Sequence, residues 1–330
     1  MAVSCSIDKL SCEVKDDRIM LTSALLMASV VFVQTAQGPP ANPHGPIVQA
    51  YVPERVYDTQ QKTFVDFEMM LAQLTSADVV LVGEQHDDPN THRLEAAVLD
   101  GLNRRKVTPG VSLEMFERDV QPAIDAYMAG RVGEEETLKS ARPWPRYRTD
   151  YRGLVERAKA YGWPVIAANV PRRIAQDVAK NGKDTIQKLS DTDRAFVASD
   201  LQCPTDDYYE RFVKSMGSHP AGTQTAEQQQ AMLERYYWSQ CVKDETMAES
   251  IAAAVQRRAT PGPIVHYNGA FHSDFRLGTA ARVVRRLPGK RVVVISMMPV
   301  DDLDAVTPSD EDLLRADYLV FTVGAPASPR

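Results

Sequence analysis

The stretch LVGEQHDDPNTHRLEAAVL, Leu81 to Leu99, decides the fold. A run from Asp78 to Val82, apolar after its first residue, stops at Gly83. Glu84, Gln85 and His86 follow at once. Pro89 comes next, then Leu94, Val98 and Leu102 at helical spacing. The pattern reads as strand, glycine turn, polar cluster, helix. In an open α/β sheet, ligand groups collect at the carboxyl ends of strands. The same G-x-x-H shape recurs as Gly269-Ala270-Phe271-His272, again after an apolar run, Ile264 to Tyr267. Two copies, each at a strand exit, predict one composite site, with each glycine permitting a tight turn.

Outward from these motifs the same alternation continues. Gly110 to Glu114 is a short strand ending in a carboxylate, and Trp163 to Ala168 is another ending at Asn169. Strands also fit Arg291–Met297 and Tyr318–Thr322. Helices fit Thr63–Leu74, Val120–Met128, Tyr151–Tyr161 and Asp274–Arg286 by the spacing of their apolar residues. Between Asp177 and Arg258 helical patterns dominate, at Ser190–Asp200, Asp206–Met216 and Ala226–Arg257. The expected fold is α/β, a largely parallel sheet flanked by helices, with a helical insertion of about 177–258. The domain spans 61–325, preceded by a Pro- and Gly-rich linker over 39–60 with a short extended segment at Ile47–Val52. Two prolines make ARPWPRYRTDY, Ala141 to Tyr151, a loop that continues the segment from residue 131. That loop either packs across the sheet edge or lines a flat apolar pocket with cationic rims.

A length of 330 residues allows one large core or two modest ones. The 44% hydrophobic and 25% charged content fits a soluble globular domain, and a net charge of −6 without a basic run argues against nucleic-acid binding. Leu21 to Val33 carries no charge, follows Lys15 and Arg18, and exits into small residues near Thr35-Ala36-Gln37. A spanning helix needs roughly 20 apolar residues, so residues 1–38 read as a signal peptide-like leader and the chain as exported. Cys5 and Cys12 would leave with the leader, and no cysteine follows it closely enough to take a lipid. Cys203 and Cys241 then form an even pair in an oxidising compartment, either bonded or as two thiols.

If the strands are parallel neighbours, Glu84, His86, Glu114, Asn169 and His272 share one rim. Two imidazoles and two carboxylates there suit a divalent metal ion. Arg172 or Arg173, at the third strand's exit, could hold an anion. His92, in the following helix, reads as a surface or supporting residue, and His266 as buried within its strand. His44 and His219 carry no supporting pattern. Glu117 reads as a charge complementing a helix start. No G-x-S-x-G, phosphate-cradling glycine loop or C-x-x-C occurs.

The blocks GEQHDDPNTHR, SLEMFERDVQ, WPRY-x-x-DYRGLVERA, VIAANVPRR, DETMAESIA and HYNGAFHSDFRLG, over about residues 60–300, resemble the ChaN-type haem-binding uptake proteins. These lie in the Tiki superfamily with Tiki metalloproteases and erythromycin esterases. The resemblance implies an exported, periplasmic or envelope-associated protein of iron uptake. It implies a homodimer with haem sandwiched at its interface, and an outer-membrane haem transport partner. Haem contacts would fall on Tyr147 or Tyr151, since tyrosinate ligates haem iron, with His86, Arg173 and Asn169. Family members are often lipoproteins; the missing lipid-accepting cysteine departs from that pattern. The alternative expectation is a metal-dependent amide or ester hydrolase using Glu84, His86, Glu114 and His272.

Overall fold

The computed structural model describes residues 52–216, 225–257 and 262–324. The leader-like segment 1–38, the linker up to residue 51, and His44 and His219 lie outside the described residues. The elements, in chain order, are β1 (Glu54–Asp58), β2 (Thr63–Val65), α1 (Phe67–Leu74), β3 (Val79–Glu84), α2 (Pro89–Arg104), β4 (Gly110–Glu117), α3 (Gln121–Met128), α4 (Glu134–Ala141), α5 (Arg152–Tyr161), β5 (Val165–Asn169), α6 (Arg172–Asn181), α7 (Asp191–Arg194), α8 (Asp207–Met216), α9 (Ala226–Arg257), β6 (Ile264–Gly269), α10 (Gly278–Arg286), β7 (Val292–Val300), α11 (Asp310–Leu313) and β8 (Tyr318–Val323).

The strands form one eight-stranded sheet in the order β2-β1-β8-β7-β3-β6-β4-β5. Pairings from β8 through β5 are parallel, while β1 runs antiparallel to β8 and β2 antiparallel to β1. The fold is therefore the expected helix-flanked, mostly parallel α/β sheet. Its two antiparallel strands, β1 and the edge strand β2, fall where the sequence suggested a linker and the start of a helix. Glu54–Asp58 and Thr63–Val65 are short, partly exposed strands at the antiparallel end of the sheet, and such strands lack the long apolar run that marks a buried one. α1 accordingly starts only at Phe67. A helix also occupies Glu134–Ala141, ahead of the two prolines that end regular structure at Arg142.

Side chains alternate across the sheet, and both faces are covered. Val80, Val82, Val111, Leu113, Val265 and Tyr267 join the core beneath α1, α2 and α5. Val79, Leu81, Ile264, Val294 and Leu319 join a second core with Ala248, Ile251 and Ala252 of α9 and Ala280 and Val283 of α10. The long helix of the expected insertion is thus one layer of the sandwich, buried over most of its middle. Within the expected helix Ser190–Asp200, only α7 is regular. Cys203 and Cys241 are bonded, with Cα atoms 5.8 Å apart, tying the segment before α8 to α9.

Candidate functional site

β6 arrives from late in the chain and inserts between β3 and β4, so the two G-x-x-H motifs sit on adjacent parallel strands. Gly83 is level with Asn268, and Glu84 with Gly269. Gly83 and Glu84 belong to the strand itself, and the polar turn begins at Gln85. Neither motif glycine has the left-handed backbone that a glycine turn would require. Their role is space. A Cβ on Gly83 would stand 2.9 Å from Ser273 Oγ and 3.0 Å from Ala270 Cα, in the turn of the second motif. A Cβ on Gly269 would stand 2.6 Å from Nε2 of His86, in the first. Each glycine makes room for the other motif.

Glu84 is buried at the end of β3. Its Oε1 lies 2.5 Å from Nδ1 of His86 and accepts from the Tyr151 hydroxyl at 2.7 Å. Burial pushes its pKa up, but the hydrogen bond with His86, with further help from Glu95 and His92, holds it below the usual carboxylate value. The His86 side chain is 44% exposed and meets Trp144 edge-on at 5.1 Å. After Leu113, β4 loses its register with β5 through a bulge. Such irregularities re-aim side chains, and Glu114 turns to β6, where its Oε2 accepts the Gly269 N–H at 2.8 Å. His272 stands between two carboxylates. Its Nδ1 is 2.7 Å from Asp244 Oδ1, and its Nε2 is 3.3 Å from Glu114 Oε1. Burial lowers the His272 pKa, but Glu114 and Asp244 together outweigh this and push it up to about 10. Burial raises Glu114, yet the His272 charge and hydrogen bond hold it well below its usual range.

Glu84, His86, Glu114 and His272 therefore meet at one strand edge, as two carboxylate–imidazole pairs. In this structure His272 engages both nitrogens with carboxylates, and His86 engages Nδ1 with Glu84. Asn169 donates from Nδ2 to the Glu114 carbonyl and accepts the Val170 N–H, which fastens β5 to β4. Arg173 pairs with Asp193 of α7 at 2.6 Å, and Arg172 lies 3.9 Å from Glu117. Tyr147 and Tyr151 are core residues, 3% and 1% exposed. Burial first, then nearby carboxylates, raise both phenols far above their usual pKa. Neither tyrosine presents an exposed hydroxyl in this structure. They lie in a π-helical turn, Tyr147–Tyr151, where the sequence suggested a loop, and it packs across the sheet edge.

His92 is not a surface residue. It is buried, 3.1 Å from Glu95 Oε2 and 3.6 Å from Glu84 Oε2. His266 is buried as expected, its Nδ1 2.9 Å from Ser112 Oγ, and burial lowers its pKa to about 3. Two further residues escaped the sequence reading. Asp244 is fully buried on α9, where it also accepts from Tyr208 and Thr279. Glu95 is fully buried on α2. The signal for both was an acid on an otherwise apolar helix face.

A cavity of about 660 Å³ opens on this edge, with His86 and His272 on its floor. Phe271, Phe275 and Tyr208 supply aromatic wall, and Arg211 and Lys214 of α8 with Arg315 supply positive charge. Tyr208, Arg211 and Lys214 recur at a spacing of three residues, so α8 presents one face to the cavity.

Fold and site together define an α/β protein with a ligand cleft at the carboxyl edge of a parallel sheet. A family model described as haem-binding uptake, Tiki superfamily, ChaN matches residues 70–283, and the chain belongs to this family. Among solved structures, ChaN of Campylobacter jejuni, described for its cofacial haem binding, superposes with a TM-score of 0.60 at 16% identity, covering 82% of this chain and 97% of that one. A Bacillus cereus protein gives a TM-score of 0.41 at 14% identity, over 70% of this chain and 68% of that one. An erythromycin esterase mutant in its open conformation gives 0.42 at 13% identity, over 84% of each. No curated protein matches.

Proposed function

We propose that the chain is an exported haem-binding protein of iron uptake, and that the cavity at the strand edge receives the porphyrin. The observation that carries this reading is the joining of an exposed imidazole to an aromatic, cation-bearing cavity of about 660 Å³. That volume lies within the range of roughly 300–1,000 Å³ usual for small-molecule sites. The donor set fits haem. Phe271, Phe275 and Tyr208 offer apolar contact to a planar macrocycle, and Arg211, Lys214 and Arg315 offer charge to its propionates. His86 is the axial donor in this reading, because Glu84 engages Nδ1 and leaves Nε2 for iron. A carboxylate holding the far nitrogen is how metal-bound histidines are oriented.

The Cys203–Cys241 bond supports export, since such bonds persist in oxidising compartments. Among the described residues, no helix is long and apolar enough to cross a membrane. A homodimer with two haems between its subunits, and delivery from an outer-membrane transporter, belong to the same proposal. Haem titration of haem-free protein tests it. We expect a shifted Soret band in the wild type and in Tyr151→Phe, and its loss or weakening in His86→Ala and Arg211→Ala. Sedimentation should show the mass doubling as haem is added. An unshifted Soret band in the wild type rejects the reading.

One observation favours a second reading, ester or amide hydrolysis. His86, oriented by Glu84, faces the same cavity as a His272 imidazolium clamped by Asp244 and Glu114. That pairing provides a base and a positive group for a developing oxyanion. Turnover of ester substrates that disappears in His86→Ala would support it; an inactive wild type across an ester and amide panel would remove it.

A further inference from the structure

Glu84 has a second carboxylate oxygen that the cavity-facing histidine does not use. Oε1 serves His86 and Tyr151, whereas Oε2 is fully buried and has no hydrogen-bond partner. Glu95 Oε1 is in the same condition. Between these acids stands His92, whose Nδ1 is 3.1 Å from Glu95 Oε2 and 3.6 Å from Glu84 Oε2. One ligand atom from each of Glu84, His92 and Glu95 falls within 4.8 Å of the others. The three residues are 1%, 5% and 0% exposed.

The tautomer of His92 follows from its other side. Nε2 lies 3.1 Å from the carbonyl oxygen of His86, and a carbonyl only accepts, so Nε2 carries a proton. Nδ1 is then either a lone pair aimed at the two carboxylates or a second N–H. A second proton would serve Glu95 Oε2, the nearer oxygen, but would leave Glu84 Oε2 and Glu95 Oε1 bare. Buried carboxylates facing one another need a compensating charge, which is either a proton shared through Glu95, whose pKa burial and the Glu84 charge raise, or a cation. A divalent cation supplies it for both acids and uses the lone pair of Nδ1 as well.

We propose that Glu84, His92 and Glu95 form a buried site for a first-row divalent cation beneath the first G-x-x-H motif. Two carboxylates and one neutral imidazole make the loaded site electrically neutral. The mixed oxygen and nitrogen set suits Mn²⁺, Fe²⁺ or Zn²⁺ better than Ca²⁺ or Mg²⁺, which favour all-oxygen sites. The ion would join the end of β3 to α2 and fix the carboxylate that orients His86. The His86 carbonyl that holds the proton on Nε2 of His92 is then the outer contact that aims the ligand. This site shares Glu84 with the cavity lining but lies on that residue's other oxygen and does not rest on the haem reading.

The test uses tag-free, haem-free protein, stripped with chelator and dialysed against Mn²⁺, Zn²⁺ or Co²⁺. Elemental analysis should find one ion per chain in the wild type and in His272→Gln. His92→Gln and Glu95→Gln should bind it more weakly by more than the roughly 10–100-fold that loss of an outer partner costs. The ion should raise the Tm of the wild type and not that of His92→Gln. Co²⁺ bound to the wild type should show ligand-field bands distinct from the aqua ion, a readout needing no variant. No ion retained, or a Co²⁺ spectrum unchanged from the aqua ion, overturns the proposal. So does an ion held equally by both glutamine variants, or one lost in His272→Gln, which would place it in the cavity.

Discussion

His272 keeps its proton far above the pH at which a free imidazole loses one, because two buried carboxylates face it. Its usual pKa of 6.5 rises to about 10 in the fold. A group whose pKa is raised on folding contributes stability that is complete below the unfolded value and lost as pH climbs through the folded one. The contribution of His272 is therefore whole below about pH 6.5 and fades towards pH 10. Glu114, held low, works in the opposite sense and loses its contribution in acid. We expect the wild-type Tm to fall between pH 7 and 10, and His272→Gln to show a flatter profile over that interval by calorimetry. Asp244→Ala leaves His272 paired with Glu114 alone and takes the acceptor from the Tyr208 and Thr279 hydroxyls, which should cost about 1–3 kcal/mol in denaturant unfolding. Tyr151 is a different case. Its hydroxyl donates one hydrogen bond to Glu84, so Tyr151→Phe should cost about 1–3 kcal/mol for the acceptor left short and leave the Soret shift in place. A phenylalanine variant that abolishes that shift would return the tyrosine to the role of iron ligand.

At the scale of elements, the site is two strand exits that fit only because each lacks a side chain where the other turns. The consequences of filling the two spaces differ. At Gly83 the obstacle includes Ala270 Cα, which is backbone, so Gly83→Ala should force β3 and the second motif apart and cost about 1–3 kcal/mol. At Gly269 the obstacle is the ring of His86, a side chain that is partly exposed and able to move. Gly269→Ala should therefore lose haem affinity with a smaller loss of Tm. Equal loss of stability in the two variants would refute this division. The interlock also marks what the sequence discloses. The four strand ends were readable because each apolar run ends in a polar or glycine residue. The adjacency of β3 and β6 was not, since nothing local says that a strand near residue 264 inserts beside one near residue 79. Glu95 and Asp244 stayed hidden because a helix carries its buried acids at the same spacing as its apolar residues. β1 and β2 stayed hidden because both are short and only half buried. For the tyrosines at Tyr147 and Tyr151 the sequence left two readings open, since an aromatic in a basic stretch reads alike whether it packs inward or faces a ligand.

Across the molecule, α9 couples features that are far apart in sequence. Its middle carries Cys241, bonded to Cys203, and about one turn further Asp244 holds His272. Tyr208 of α8, on the cavity wall, donates to that same Asp244. Tyr237 of α9 donates to the carbonyl of Pro204 in the intervening segment. The disulfide closes a loop with a sequence separation of 38, a length for which chain entropy predicts about 4 kcal/mol of stabilisation. Its loss should not be uniform. The sheet core lies on the other elements, whereas α8 reaches the molecule largely through Tyr208, Phe212 and their aromatic neighbours Tyr237 and Phe271. A Cys203→Ser, Cys241→Ser double variant should therefore expose α8 to hydrogen exchange before the strands. It should lower haem affinity through Arg211 and Lys214, and leave the pH profile set by His272 little changed at its acidic end. Exchange rising equally in β3, β6 and α8 would mean instead that the bond stabilises the whole domain without favouring the cavity wall.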